Sequence, residues 1–182
     1  TIVFQQLNYI KQKSLGFDKA HILTTRNPFT PSEFEVFKND ISKEGWIKDV
    51  ARSSRIPSGR LLDDQGVSVV QGGSVKMVNA DIKYINADDG FIPTFGMKMA
   101  AGRNFSKEYA TDSSNYIINT LAAKILGWAT PDKAIGKEIA YGGMTGKIIG
   151  VVNDFQFESL HQKIVPLLMR MPSLNNSNYN RL

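Results

Sequence analysis

Residues able to do chemistry are few in this chain and poorly spaced for it. The only histidines are His21 and His161, and cysteine is absent, which excludes thiolate chemistry and disulfides. Imidazole ligands for a metal recur at short spacings such as HxH or HExxH. Neither occurs, nor does a DxDxDG loop. The adjacent carboxylates Asp63-Asp64 and Asp88-Asp89 would diverge on a strand and read as solvated turn residues. Ser53, Ser54 and Ser58 stand close to Arg52 and Arg55, but no GxSxG elbow exposes a nucleophile. A trio of Ser58, His161 and Asp154 can be assembled, as in any chain of this length. Gly142-Gly143-Met144-Thr145-Gly146 lacks the Lys-Ser/Thr of a phosphate loop. It lies between two strand-like runs and reads as a hairpin connection. No catalytic, cofactor-binding or metal-binding residue is therefore expected, and no cofactor.

Two other groups suit binding better than catalysis. Arg52, Arg55 and Arg60 surround Pro57-Ser58-Gly59. They could meet an acidic partner or lipid headgroups, with a solvated loop as the simpler account. Trp46 and Trp128 each follow a glycine and read as caps on the core.

The elements that must position these residues centre on 147–166. Ile148–Val152 is a continuous apolar run, as in a strand covered on both faces. Asn153-Asp154 breaks it through side-chain bonds to backbone. Phe155 and Phe157 alternate with polar neighbours, Ser159 is placed to cap a helical turn, and Pro166 to stop it. This reads as the central strand of a rigid module that binds or transmits force.

Before it, Ile2–Lys13 has helical spacing. His21–Thr25 is strand-like, Pro31–Lys43 forms an amphipathic helix with Thr30 or Ser32 at its cap, and Ile47–Ser53 alternates as a second strand. Together they span about thirty residues, the size of a βαβ unit. Residues 55–73 read as loops around a Val67–Val70 strand, and strands follow from Ser74. Phe91–Phe95 suits one helical turn and Met97–Met99 another strand. Asn115–Leu126 reads as a helix capped by Asn115 and closed by Gly127. Ile135–Tyr141 and Lys147–Val152 form a hairpin, Leu167–Arg170 is a last strand, and Ser173–Asn180 is a loose polar run.

The chain has 182 residues, 42% of them hydrophobic, and a net charge of +5. That is enough for a real core. Charges of both signs are scattered, without the basic block or aromatic-basic repeat of a nucleic-acid binder, so no nucleic acid is expected. No apolar run approaches the ~18 residues of a membrane span. The fold class expected is α+β. An α/β subdomain, residues 1–60 and 147–182, is interrupted by a β-rich one, residues 61–146. Both ends read as cut from a longer chain.

Several stretches resemble the extracytoplasmic domain of FtsX/MacB-type ABC transporter permeases. They are Gln6–Lys11 with Ser14–Lys19, Phe91–Met99 followed by Ala101–Phe105, Ile117-Ile118-Asn119 with Ala122-Ala123, Ala134–Lys137, and Ile149–Phe155. In order and spacing they are similar to the MacB-like periplasmic core domain. The resemblance implies a porter-like α/β subdomain, incomplete here at its C-terminus, holding an inserted sabre-like β-rich subdomain. It implies a place on the periplasmic side of a bacterial inner membrane, with Thr1–Phe4 as the outer end of a membrane helix. It implies as partners the rest of the permease and its transmembrane helices, and a separate ABC ATPase subunit or domain. It leaves room for a dimer and for a periplasmic or outer-membrane partner. The role it implies is non-enzymatic: coupling of cytoplasmic ATP hydrolysis to export, lipoprotein release or signalling. The alternatives from the residues alone are a periplasmic ligand-binding or sensory module, and a hydrolase using the serines near residue 58 with His161.

Overall fold

In the computed structural model, residues 15–18, 21–57, 59, 61, 63–158, 162–173 and 179–182 are described. Two Gly-Gly turns start the sheet. β1 (Val67–Gln71) and β2 (Ser74–Val78) are antiparallel, as are β6 (Glu138–Tyr141) and β7 (Met144–Val152). Gly72-Gly73 and Gly142-Gly143 join them, with φ of 57° and 79° in both pairs. Paired positive φ makes the two-residue turn whose twist matches the strands, and glycine adopts it without steric cost. The hairpin expected around Gly142–Gly146 is therefore present in a tighter form.

β7 is the strand on which the sheet depends. Its first half pairs with β6. Its second half lies between β4 (Met99–Gly102), antiparallel, and β5 (Tyr116–Asn119), parallel. β8 (Leu167–Arg170) is antiparallel to β5, and β3 (Lys83–Asn86) is parallel to β8. The order is β2-β1-β6-β7-β5-β8-β3, with β4 also on β7. Strands of segment 61–146 thus pair directly with strands of segment 147–182.

Successive residues of these strands face opposite sides, and both sides of β5, β8 and the second half of β7 are covered. Ile117, Val152, Leu167 and Met169 pack with Phe91, Phe95, Phe155 and Phe157. Ile118, Ile148, Val151 and Leu168 pack with Ala122, Ala123 and Leu126. This explains the continuous apolar runs, since a strand buried on both faces has no polar alternation.

Three α-helices lie among the described residues. α1 (Pro31–Ile41) starts at a capping box in which Thr30 and Glu33 satisfy each other's amides. α2 (Phe91–Thr94) is a single turn. α3 (Thr120–Ile125) is capped by Asn119, not Asn115. Asn119 Oδ1 accepts from the Ala122 and Leu167 amides at 3.0 and 2.9 Å, and its Nδ2 donates to the Val165 carbonyl at 2.9 Å. One buried amide thereby ties helix, sheet and the approach to β8 together.

Four local expectations change. Residues 116–119 form a strand, because β7 and β8 flank them and supply the ladder. The strand expected at 97–99 runs instead over Met99–Gly102, where β7 is within reach. Among the described residues, 21–25 carry no bridge, Arg26 beside them bridges to Arg181, and within 47–53 Ser53 bridges to Ala87 and Arg181. They lack the continuous neighbour that turns extended chain into strand, so no βαβ unit forms around α1. Trp46 is 81% exposed and caps nothing, whereas Trp128 packs against the core beside α3. The expected helix over Ile2–Lys13 and the turn at Ser159 lie outside the described residues.

Candidate functional site

The residues singled out for chemistry are separated by the fold. Asp63 pairs with Arg55 at 3.0 Å and Asp64 with Lys83 at 2.7 Å, so the first carboxylate pair diverges toward different cations. Asp154 Oδ1 accepts from the Leu121 amide at 2.8 Å and serves the start of α3. Ser58, Arg60 and His161 lie outside the described residues. Ser54 Oγ accepts from the Asn86 amide at 3.0 Å, and the buried Ser53 exchanges backbone bonds with Arg181. Among the described residues no group of three or more His, Asp or Glu could hold a metal ion.

What the fold does assemble is a buried ionic clasp around Arg52. This residue is 3% exposed and belongs to no solvated loop. Its guanidinium lies 3.9 Å from the ring centre of Phe34 in α1 and 4.7 Å from that of Tyr179. Nε is 3.6 Å from Asp88 Oδ2 and Nη2 is 3.8 Å from Glu35 Oε1. The Asp88 carboxylate also accepts from the Arg52 and Gly90 amides at 2.8 and 3.2 Å. Around this pair, Lys107 binds Glu35 at 2.7 Å and Lys38 binds Asp49 at 3.2 Å. A helix, two connecting segments and Tyr179 are thereby fastened to the end of β3. Flat aromatic faces on both sides of a delocalised cation make arginine the fitting residue here.

Burial pushes the Asp88 carboxyl up to about 6, against the Arg52 amide and the Lys38 and Arg52 charges, with Asp89 adding to the rise. A carboxyl raised on folding stabilises most while protonated, and that contribution is lost as pH climbs through about 6. Wild type should therefore lose stability relative to Asp88→Asn between pH 4 and 7. Denaturant unfolding of both chains across that range checks this, and a constant difference would refute it.

A second pair has the opposite sign. Arg103 grips the fully buried Asp112 with two bonds of 2.6 and 2.8 Å. Burial pushes Asp112 upward, but the Arg103 fork and the Ser106 amide outweigh it and hold the carboxyl below its ordinary range. That contribution is present above the unfolded value and fades as pH falls. Neither pair presents a nucleophile beside a base. Their arrangement supports rigidity.

Two hollows of the described surface bear on binding. A groove of about 900 Å³ runs between the β1–β2 hairpin and the end of α3, with Met77, Ile125 and Trp128 among its walls. A smaller cavity of about 400 Å³ is lined by Arg26, Arg55 and Arg181. Among the described residues no helix is long and apolar enough to cross a membrane.

Comparison with known proteins identifies the architecture. The family model of the MacB-like periplasmic core domain matches residues 3–179. The chain belongs to that family. Two solved structures share the fold at 17% identity and a TM-score of 0.52. The periplasmic region of MacB from Actinobacillus actinomycetemcomitans aligns over 88% of this chain and 64% of its own. The extracellular domain of the ABC-type transporter YknZ from Gram-positive bacteria aligns over 87% and 81%. This chain thus spans less than two thirds of the MacB region. Comparison with curated protein sequences returned no significant match. The resemblance drawn from Phe91–Phe105 and Ile149–Phe155 and the α+β class are both borne out. As a MacB-like periplasmic core domain, the chain is an extracytoplasmic domain of the ABC transporter permease type.

The clasp was not legible as such. Arg52 stood among basic neighbours and Asp88 in a turn-like Asp-Asp-Gly. The available signal was the small neighbours of Arg52, Ala51 and Ser53, which suit a segment pressed into a core.

Proposed function

We propose that this domain is a non-catalytic coupling element of a bacterial inner-membrane permease, working on the periplasmic side. Its partners are the permease's own transmembrane helices and an ATPase subunit or domain on the cytoplasmic side. The observation that carries this reading is a ladder across distant segments. Thr25 and Leu182 exchange amide-carbonyl bonds of 2.9 and 3.0 Å, and Asn27 donates to Asn180 at 3.1 Å. Ser53 and Arg181 exchange bonds of 3.0 and 2.8 Å, Ser54 donates to Asn86 at 2.8 Å, and Ala87 donates to Arg170 at 3.0 Å. A displacement of residues 25–27 or 180–182 therefore reaches β3 and β8, and the clasp locks α1 to the same place. A sheet buried on both faces passes such a displacement on, because close-packed interiors yield little. The porter-like and sabre-like lobes, with a division near residues 61 and 147, are part of this proposal. So are the outputs: export, lipoprotein release or signalling. The edge strand β2, with Val75 and Met77 exposed, offers free backbone groups to a second copy or a periplasmic partner.

Breaking the ladder separates coupling from catalysis. Arg181→Pro removes the amide that donates to Ser53. In the full permease with its ATPase, ATP hydrolysis should persist within about twofold while permease-dependent function is lost, since the fuel is consumed elsewhere. An unimpaired function, or ATP hydrolysis by the 182-residue chain alone, would overturn the reading.

A further inference from the structure

The ladder also brings together charges it does not use. Arg26 and Arg181 stand directly opposite each other in an antiparallel bridge. That placement sets two side chains on one face, about 5 Å apart at Cβ, where like charges repel. Both residues are exposed, and among the described residues neither guanidinium has a carboxylate in ion-pair range, unlike Arg52, Arg55 and Arg103. Together with Arg55, Asn27, Asn180 and Ser54 they line the cavity of about 400 Å³. Asp63 neutralises Arg55 at 3.0 Å, which leaves a surplus of two positive charges. One wall is held in place, since Asn27 Nδ2 donates to the Tyr179 carbonyl at 2.9 Å and its Oδ1 accepts from the Phe29 amide at 3.2 Å.

We infer that this cavity binds a phosphate monoester. A guanidinium presents a planar fork of donors that matches phosphate oxygens two at a time. A phosphomonoester carries roughly −1.5 to −2 charges at neutral pH, which matches the surplus, whereas a carboxylate offsets only half of it. The bound anion relieves the repulsion that the bridge imposes. A cavity of about 400 Å³ exceeds the phosphate itself and leaves space for the polyol or headgroup attached to it. Such a group comes from a soluble ester or from a lipid. The inference stands apart from the coupling role, because binding to the isolated chain needs neither ATPase nor membrane helices.

Two probes test it on the 182-residue chain. One is glycerol 3-phosphate, titrated by calorimetry at low ionic strength. The other is sedimentation with phosphatidylcholine vesicles, with and without phosphatidic acid. Saturable binding of either is expected, weakened at least tenfold in the double variant Arg26→Gln/Arg181→Gln. It should be unchanged in Lys133→Gln/Lys137→Gln, which removes the same charge from the larger groove. Binding of the soluble ester assigns a free ligand, and binding of phosphatidic acid vesicles alone assigns a lipid. Because the opposed pair is gone, the arginine double variant should unfold at or above the wild-type temperature. Absence of saturable binding with both probes overturns the inference. So does equal weakening by the two double variants, or a lower unfolding temperature that marks the arginines as structural.

Discussion

Arg52→Met is expected to destabilise the domain by about 3–5 kcal/mol, the range for removing one partner of a buried ion pair. Methionine replaces much of the aliphatic stem but not the cation held between Phe34 and Tyr179. It leaves Asp88, 2% exposed, with backbone donors and only the more distant Lys38 charge to offset its own. For a domain of this size each kcal/mol moves the midpoint by roughly 2–4 °C, so the unfolding temperature should drop by about 6–20 °C. Two controls distinguish charge from packing. Arg52→Lys keeps the charge but loses the flat stacking surface, and should fall between wild type and Arg52→Met. The double variant Arg52→Met/Asp88→Asn removes both charges and should be less impaired than the sum of its singles, by about 1–3 kcal/mol. The penalty should also shrink near pH 5, where Asp88, with its carboxyl raised to about 6, is largely protonated. A fall of less than about 2 °C for Arg52→Met at pH 7.5 would remove the clasp from the account, because a few tenths of a kcal/mol is the scale of an exposed pair.

Gly102→Ala should be more damaging still. Gly102 ends β4 opposite Gly150 of β7 and has φ of 70°. A methyl there would overlap the Ile149 carbonyl oxygen, and would lie 2.7 Å from Ile135 Cδ1 and 3.0 Å from Gly150 Cα. Backbone on the opposing strand cannot rotate aside as a side chain can. The expected loss is at least about 4 kcal/mol, at the extreme of single substitutions, seen as a chain that unfolds or aggregates at 37 °C. Gly143→Ala is the matched comparison. Its φ is 79°, with nothing within 4 Å of the added methyl, so only the left-handed backbone cost of roughly 1–2 kcal/mol applies. Urea unfolding of both variants decides between crowding and backbone angle. Equal losses would mean that the close approach of β4 to β7 has no energetic weight.

Much of the frame was readable from local chemistry. Ile148–Val152 was a continuous apolar run that suited a covered strand, and Leu167–Arg170 read as a last strand. Gly142-Gly143 marked a hairpin turn, whereas Gly72-Gly73 read only as loop, and Thr30 or Ser32 marked the start of α1. The exchange of strand for helix at residues 116–119 shows the limit of such reading. Ile117, Ile118, Leu121, Ala122, Ile125 and Leu126 fit one helical face as well as they fit a short strand leading into a helix. Only the presence of β7 and β8 on either side decided between them.

The basic residues near position 55 mark the same limit for the site. Their types and spacing suggested one exposed group. In the fold Arg52 turns inward to Asp88, while Arg55 joins Arg26 and Arg181 from distant parts of the chain.

Sequence alone determined the composition of the core, the turns, the lack of thiol chemistry, and a family resemblance that the comparisons bear out. Tertiary structure alone decided which extended segments became strands and which charges were buried, paired or left facing a cavity. The physical reason is that ladder bonds and ion pairs are made with partners remote in the chain, and no residue carries the identity of its partner in its own type.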